Sequence, residues 1–261
     1  MTVYDEVMVP RMFGPWAEVL LDQLAPARGS SLLDVACGPG TVARAAARRL
    51  GPRGRVTACD LSPAMLAVAA SKVVDESSAP IEYRECAADA LDVRDETFDL
   101  ATCQQGLQFF PQRNAALLEI RRALRPGAKL GVAVWRAIEE CPPFAALGVA
   151  LAEVLGEDVA ATFRGGPWGL TNGAELTRLL EDAGFVGVSC TSRRLPIVFE
   201  GGPTQLLQTL GATTVASAMA ALDESQRRAL LAAVTSAAAA MTDDDGAVRS
   251  ETSAHLVIGT K

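Results

Sequence analysis

Between residues 31 and 135 short apolar runs alternate with helix-patterned stretches, and this alternation constrains the fold more than any other feature. The runs SLLDVAC and RVTACDL, with IEYRECAA (81–88), FDLATCQ (98–104) and KLGVAVW (129–135), have strand length and strand composition. TVARAAARRL, PAMLAVAASKVV and NAALLEIRRAL (114–124) carry helical spacing, the last of them stopped by Pro126 and Gly127. Strands in this order predict an α/β fold with a Rossmann-like doubly wound sheet, because parallel neighbours need a crossover and right-handed crossovers place helices on both faces. Ligands of such sheets bind beyond the carboxyl ends of the strands, which says where the chemistry should lie.

The flanks read differently. VMVPRMFGPWAEVLLDQLAP puts Val19, Leu20 and Leu24 at helical spacing, so residues 1–30 are expected as an N-terminal helical cap over the site. After 135, CPPFAALGVALAEVLG and NGAELTRLLEDAGF read as helices and FVGVSCTSRRLPIVFE as a strand. Pro203 to Met241 reads as two Ala-rich helices inserted before the last strand, TDDDG (242–246) as a solvated turn, and SETSAHLVIGTK as the closing strand. The expected organisation is one domain over 1–261: the cap, a core over 31–135, and substrate-side helices with the last two strands over 136–261.

Composition excludes several classes. Lysine and arginine total 24 against 31 acidic residues, and no basic run interleaves with aromatics, so nucleic acid is not an expected partner. No apolar run reaches the roughly 18 to 20 residues of a membrane span, and MTVYDEVMVPRMF lacks the pattern of a signal peptide. A cytoplasmic protein without a membrane partner is expected. Cys37, Cys59, Cys86, Cys103, Cys141 and Cys190 stand singly without a CxxC pair, as small buried hydrophobes of a reduced compartment do, so no metal is expected.

The informative segment runs from Leu32 through Asp34, Ala36, Cys37, Gly38 and Gly40 to Thr41: an apolar strand entering a glycine-rich turn that opens a helix. Gly38 and Gly40 allow a tight turn and a close ligand, and the helix start offers free N–H groups. A nicotinamide loop wants glycines at its first, third and sixth positions; counted from Ala36 the sixth is Thr41, so a dinucleotide is disfavoured. At the end of the second strand Asp60 is placed to accept from vicinal ribose hydroxyls, with helix capping as the plainer role of an Asp before Ser-Pro. After the third strand, Ala88-Asp89-Ala90 offers a second acid for an exocyclic amine, or simply a turn residue at the surface.

DVACGPGT, CDLSPAML, AADAL, FDLATCQQGLQFF and LLEIRRALRPGAKLGVAVW, in that order, resemble the successive motifs of class I S-adenosylmethionine-dependent methyltransferases. The likeness is to the group that includes the ubiquinone-biosynthesis methyltransferases, and it covers residues 31–135. It implies S-adenosylmethionine as cofactor, a seven-stranded sheet with an antiparallel last strand, and methyl transfer to a small molecule. Asp34 and the loop Ala36, Cys37, Gly38 and Gly40 are implied to face the methionine part, and Asp60 the ribose. Leu61 and Met65 are implied to pack on the adenine, Ala88, Asp89 and Ala90 to meet its amino group, and Gln104 to lie near the sulfonium. Where many relatives have glycine, this chain has Ala36.

Relatives often carry a histidine after the fourth strand, whereas this chain reads Gln104-Gln105-Gly106-Leu107-Gln108. The single histidine, His255, falls in the terminal strand, where a structural role is expected. Gln105 and Gln108 are the candidates for orienting a polar acceptor. Without a histidine base the expected acceptor is a carboxylate, an amine, an activated carbon or an acidic hydroxyl, each able to attack with little help. Phe13, Trp16, Phe109, Phe110, Phe163 and Trp168 are candidates for an apolar acceptor pocket. The alternative is a protein that binds S-adenosylmethionine without transferring its methyl, as a sensor or a cofactor-assisted cyclase; a monomer or a homodimer fits either reading.

Overall fold

The computed structural model describes residues 4–261. A π-helical segment, Tyr4–Phe13, leads into α1 (Gly14–Leu24), β1 (Ser31–Val35), α2 (Thr41–Leu50), β2 (Arg55–Asp60), α3 (Pro63–Ala70), β3 (Ile81–Glu85) and β4 (Phe98–Gln104). Next come α4 (Arg113–Ala123), β5 (Leu124–Trp135), α5 (Pro142–Leu155), α6 (Glu157–Gly165), α7 (Gly173–Asp182) and β6 (Val186–Phe199). The chain ends with α8 (Gly202–Gln208), α9 (Ala216–Ala221), α10 (Glu224–Ala237) and β7 (Val248–Thr260).

Among the described residues seven strands form one sheet in the order β3-β2-β1-β4-β5-β7-β6. β1 pairs in parallel with β2 and β4, β2 with β3, and β4 with β5. The Lys261 N–H donates to Ala128 O and the Arg136 N–H to Ser253 O, so β7 runs against β5. Along β6, Ser192 meets His255 and Arg194 meets Glu251, so β6 runs against β7. The doubly wound sheet with an antiparallel last strand is therefore present, and its topology reverses between β1 and β4. No helix of the described residues is long and apolar enough to cross a membrane.

The chain divides into two compact units. The first, here the core unit, holds Gly14–Val134, Asn172–Ser192 and His255–Lys261. In it α1 buries Trp16, Ala17, Leu20, Leu21 and Leu24. Gly131 of β5 makes room for this helix: a Cβ there would stand 2.8 Å from Leu24 Cδ1. Each buried leucine contributes about 1.5–3 kcal/mol. Arg49 of α2 ties α1 down from the side through Glu18 and Asp22.

The second, helical unit holds the N-terminal residues through Phe13, Trp135–Thr171 and Arg193–Ala254. Its α5 packs against α6 and α10 and buries Phe144, Leu147, Ala150 and Leu151. The segment expected as one cap over 1–30 is thus shared: Tyr4–Phe13 belongs to the helical unit and α1 to the core unit.

Several boundaries differ from expectation. Pro203 to Met241, expected as two helices, forms α8, α9 and α10 with short 3-10 turns at Thr209–Ala212 and Ala239–Met241. The break before α10 has a local cause: Asp223 accepts from Gln226 N while the Gln226 side chain accepts from Asp223 N, a capping box that starts a new helix. β5 begins at Leu124 instead of 129, and β3 ends at Glu85 instead of 88.

Candidate functional site

The site is built where the sheet order reverses, from the loops that leave β1, β2, β3 and β4 at their carboxyl ends. After β1 the backbone turns through left-handed conformations at Ala36 (φ 56°), Gly38 (φ 51°) and Gly40 (φ 75°). A Cβ at Gly40 would meet Tyr83 Oη at 2.8 Å and Ala69 Cβ at 3.1 Å, so this glycine is required for packing as well as for its φ. Gly40 caps α2 without a side-chain hydrogen bond, leaving the helix start to whatever acceptor stands before it.

The loop is anchored on β2. The Cys37 N–H donates to Cys59 O at 2.9 Å, and the Gly38 N–H donates to Asp60 Oδ2 at 2.7 Å. The other oxygen of Asp60 accepts from Ser62 N at 2.9 Å. The helix cap is Ser62, whose hydroxyl accepts from Met65 N, so Asp60 is not the cap of α3. Asp60 instead joins the glycine loop to the start of α3, and Cys86 N donates to Asp60 O, bringing the turn that contains Ala88, Asp89 and Ala90 alongside. The neighbouring Cys59 thiol holds the Cys86 thiol below its ordinary range. Leu61 is 70% exposed beside Asp60, and Met65 is half-buried in the first turn of α3.

Asp34 lies opposite Thr102 in the β1–β4 register, and the Thr102 hydroxyl donates to its Oδ1 at 2.8 Å. Its Oδ2 is buried and makes no hydrogen bond of ordinary geometry. Burial pushes this carboxyl up to about 7; the Thr102 hydroxyl and the Ala43 N–H offset that in part, and the nearby Asp60 charge adds to it.

The loop after β4 abuts the glycine loop. Gly106 has no room for a side chain, since a Cβ there would fall 2.6 Å from Ala36 Cβ and 3.1 Å from Cys103 Sγ. Gln104 ends β4 half-buried. Gln105 is left-handed (φ 54°) and buried, and its side-chain oxygen accepts from Gln108 Nε2 at 3.2 Å. Two non-glycine residues in the left-handed region, Ala36 and Gln105, thus sit at the ends of the two adjacent strands where the topology reverses. Such strain persists only where surrounding structure imposes it.

Sequence reasoning overlooked Thr102 and Gly106. Thr102 was recoverable: once β1 and β4 are neighbours, the register sets Thr102 against Asp34. Gly106 had no local signal, because its need comes from Ala36, distant in sequence.

His255 lies apart from these loops. His255 Nδ1 stands 3.1 Å from Ser192 Oγ and 3.8 Å from Cys190 Sγ, bridging β7 to β6 with β5 between it and β4. Trp16 is fully buried in the core unit, and Phe109 is 51% exposed after β4. In the helical unit Phe163 is buried against Trp168 (ring centroids 5.3 Å apart), and Phe13 stacks on Tyr4 at 4.8 Å.

Residues 2–146 match the profile of the ubiE/COQ5 methyltransferase family, more than half of the chain and all of the loops just described. This chain belongs to that family. The ubiquinone/menaquinone biosynthesis C-methyltransferase UbiE of Cupriavidus pinatubonensis is 32% identical over 143 residues, covering 53% of this chain and 58% of the relative. The match therefore spans little more than half the length of that relative. Among solved structures, the YcgJ protein of Bacillus subtilis superposes with a TM-score of 0.62 at 15% identity over 94% of this chain and 97% of its own. Phosphoethanolamine N-methyltransferase 2 of Haemonchus contortus, in complex with S-adenosylhomocysteine, gives 0.58 at 21% identity over 95% of this chain and 52% of its own. Both likenesses establish the methyltransferase fold.

Proposed function

We propose that this chain is an S-adenosylmethionine-dependent methyltransferase that acts, as a single domain, on a small-molecule acceptor. The observation that carries the reading is the buried, unpartnered Oδ2 of Asp34 beside the left-handed loop and Asp60. Two carboxylates at the mouth of a glycine loop suit a cationic ligand bearing a ribose. They oppose a pyrophosphate, which would bring its own negative charge against Asp34 and Asp60. Asp34 and the Ala36–Gly40 backbone would hold the methionine part, Asp60 the ribose, Leu61 and Met65 the adenine faces, and Asp89 with its neighbours Ala88 and Ala90 the adenine amine. Gln104 would border the sulfonium. Bound there, S-adenosylmethionine supplies an electrophilic methyl group.

The protein's own part is positioning. In-line displacement needs the acceptor lone pair aligned behind the methyl carbon, and effective molarities of about 10^5 to 10^8 M for well-oriented reactants make orientation the main source of rate. The loop after β4 carries glutamines in place of a histidine, so its residues orient and do not take a proton at neutral pH. That suits an acceptor needing no strong base, such as the activated carbon implied by the C-methyltransferase name of the curated relative. Binding without methyl transfer is not favoured, since the family is one of methyltransferases. Six free cysteines, four of them buried, support a reducing compartment and hence a cytoplasmic enzyme.

The test is transfer of a tritiated methyl group from S-adenosylmethionine to a panel of small phenols, amines, carboxylates and activated heterocycles. Label in an acceptor, with one S-adenosylhomocysteine formed for each methyl, is the expected result. Tight cofactor binding with no S-adenosylhomocysteine formed across the panel would favour the non-transferring alternative.

A further inference from the structure

The segment 86–97 joins β3 to β4 with no helix or strand of its own, and the end of α4 holds it. Arg122, in the last turn of α4, donates five hydrogen bonds, the full capacity of a guanidinium. Its Nε and Nη2 donate to the two oxygens of Glu119 at 2.9 and 2.7 Å. Nη2 also donates to Leu91 O at 3.1 Å, and Nη1 donates to Val93 O at 2.9 Å and Asp95 Oδ1 at 2.6 Å. Glu119 Oε2 in turn accepts from the Leu91 N–H at 3.1 Å. Both backbone groups of the buried Leu91 are therefore bound by one bidentate ion pair. Immediately before Leu91 the chain turns, with the Ala90 N–H donating to Ala87 O at 3.2 Å and Ala88 and Asp89 between them. The other anchor of this turn is the Cys86 N–H, which donates to Asp60 O at 3.2 Å.

We propose that Arg122 and Glu119 are positioning residues for adenine recognition, holding through Leu91 the turn that carries Asp89. This rests on the reading above, in which Asp89 accepts from the adenine amine, and extends it to two residues of α4. An acceptor tells an amine from its absence only while it is held at hydrogen-bond distance and angle. The turn Ala87-Ala88-Asp89-Ala90 has alanines for three of its four residues, so it owns little side chain to pack and its place is set from its two ends. One end is Asp60 of β2; the other is the fork on α4. A guanidinium suits that task, because its donors are planar and preorganised where a lysine offers three on a flexible stem. Hydrogen bonding from Arg122 also holds the Glu119 carboxyl below its ordinary value, so the anchor stays ionised and does not loosen near neutral pH.

The experiment measures, by calorimetry on the full chain, the affinities of S-adenosylhomocysteine and of its deamino analogue, in which purine replaces adenine. The wild type should prefer S-adenosylhomocysteine by about tenfold or more, the size expected of one hydrogen bond to a charged acceptor. In Arg122→Met that preference should fall to about threefold or less, while the deamino analogue keeps its wild-type affinity within about twofold. Loss of a merely structural contact would lower the melting temperature and weaken both ligands alike, leaving their ratio unchanged. Should Arg122→Met not fold, Glu119→Gln decides by the same ratio, since it keeps the length of the side chain and breaks the bidentate fork. An unchanged ratio in the folded variant, or no preference in the wild type, overturns the proposal and leaves the methyltransferase reading intact. Failure of the wild type to bind S-adenosylhomocysteine overturns that reading and this proposal together.

Discussion

The loops after β1 and β4 lie side by side, each with a strained non-glycine residue, yet they are made of different material. The first is glycine and backbone, with Asp34 and Asp60 as its charged walls; the second presents side-chain amides on a turn. A backbone cradle is nearly insensitive to side-chain substitution except where space or φ is lost, so it suits a ligand that never changes. Side chains on a short turn are exchanged freely and suit a ligand that differs between relatives. On the proposed function, the contrast teaches where to look for each half of the reaction: the cofactor would lie at the glycines and the acceptor at the glutamines.

The strongest way to break the comparison is Gly40→Val. The new side chain meets Tyr83 and Ala69 and must adopt a left-handed φ, so S-adenosylmethionine affinity should fall by about 100-fold or more. Calorimetry measures it, and retained affinity would mean that the loop is not the cradle.

A smaller effect concerns Asp34. Its folded value of about 7 lies above the ordinary 3.8, so between these the native state holds a proton that the unfolded chain has released. Stability should therefore fall as pH rises through that window, and Asp34→Asn should remove this slope from melting temperature against pH. Cation binding has the opposite sign: it needs the ionised acid, so affinity for S-adenosylmethionine should rise as pH passes from about 6 to about 8 in the wild type and stay level in the variant. Equal pH profiles in the two proteins would remove Asp34 from the site.

Next in size is Ala36→Gly, which relieves a left-handed residue without touching a ligand-facing side chain. A stabilisation of about 1 kcal/mol, read as a higher denaturant midpoint, is expected with cofactor affinity retained. The smallest effect belongs to His255→Ala: loss of the bridge to Ser192 should lower stability by about 1 kcal/mol and leave the pH dependence of turnover unchanged. A pH profile altered near neutrality would give His255 a role that its place beyond β5 does not suggest.

Much of the core unit was legible because its signals are local. The boundaries of α2 follow from a helical run between Gly40 and Gly51, and the strand at Phe98–Gln104 appears as read. Asp60 was legible as an acid at a strand end, though not as the residue that holds Gly38. Where partners are distant, sequence reasoning stopped short. β5 starts at Leu124 because Phe98 of β4 pairs with it, and Lys261 pairs with Gly127 and Ala128 across a turn that Pro126 and Gly127 would otherwise announce. β3 ends where its partner does: Asp60, the last residue of β2, pairs with Glu85 and takes the final ladder bond from the Cys86 N–H. In the helical unit, alanine-rich composition blurs helix ends; the Asp223–Gln226 box was present in the sequence and would have separated α9 from α10. The aromatic residues show the same limit, since Trp16 and Phe163 each fill the interior of their own unit.

The most direct test of the central claim is a calorimetric titration of the full chain with S-adenosylmethionine, S-adenosylhomocysteine and NAD, repeated on Asp60→Ala. Micromolar binding of both adenosyl compounds, none of NAD, and a loss of about tenfold to 100-fold in the variant is the predicted result. Equal affinity of the wild type and Asp60→Ala, or binding of NAD in place of S-adenosylmethionine, would contradict the account.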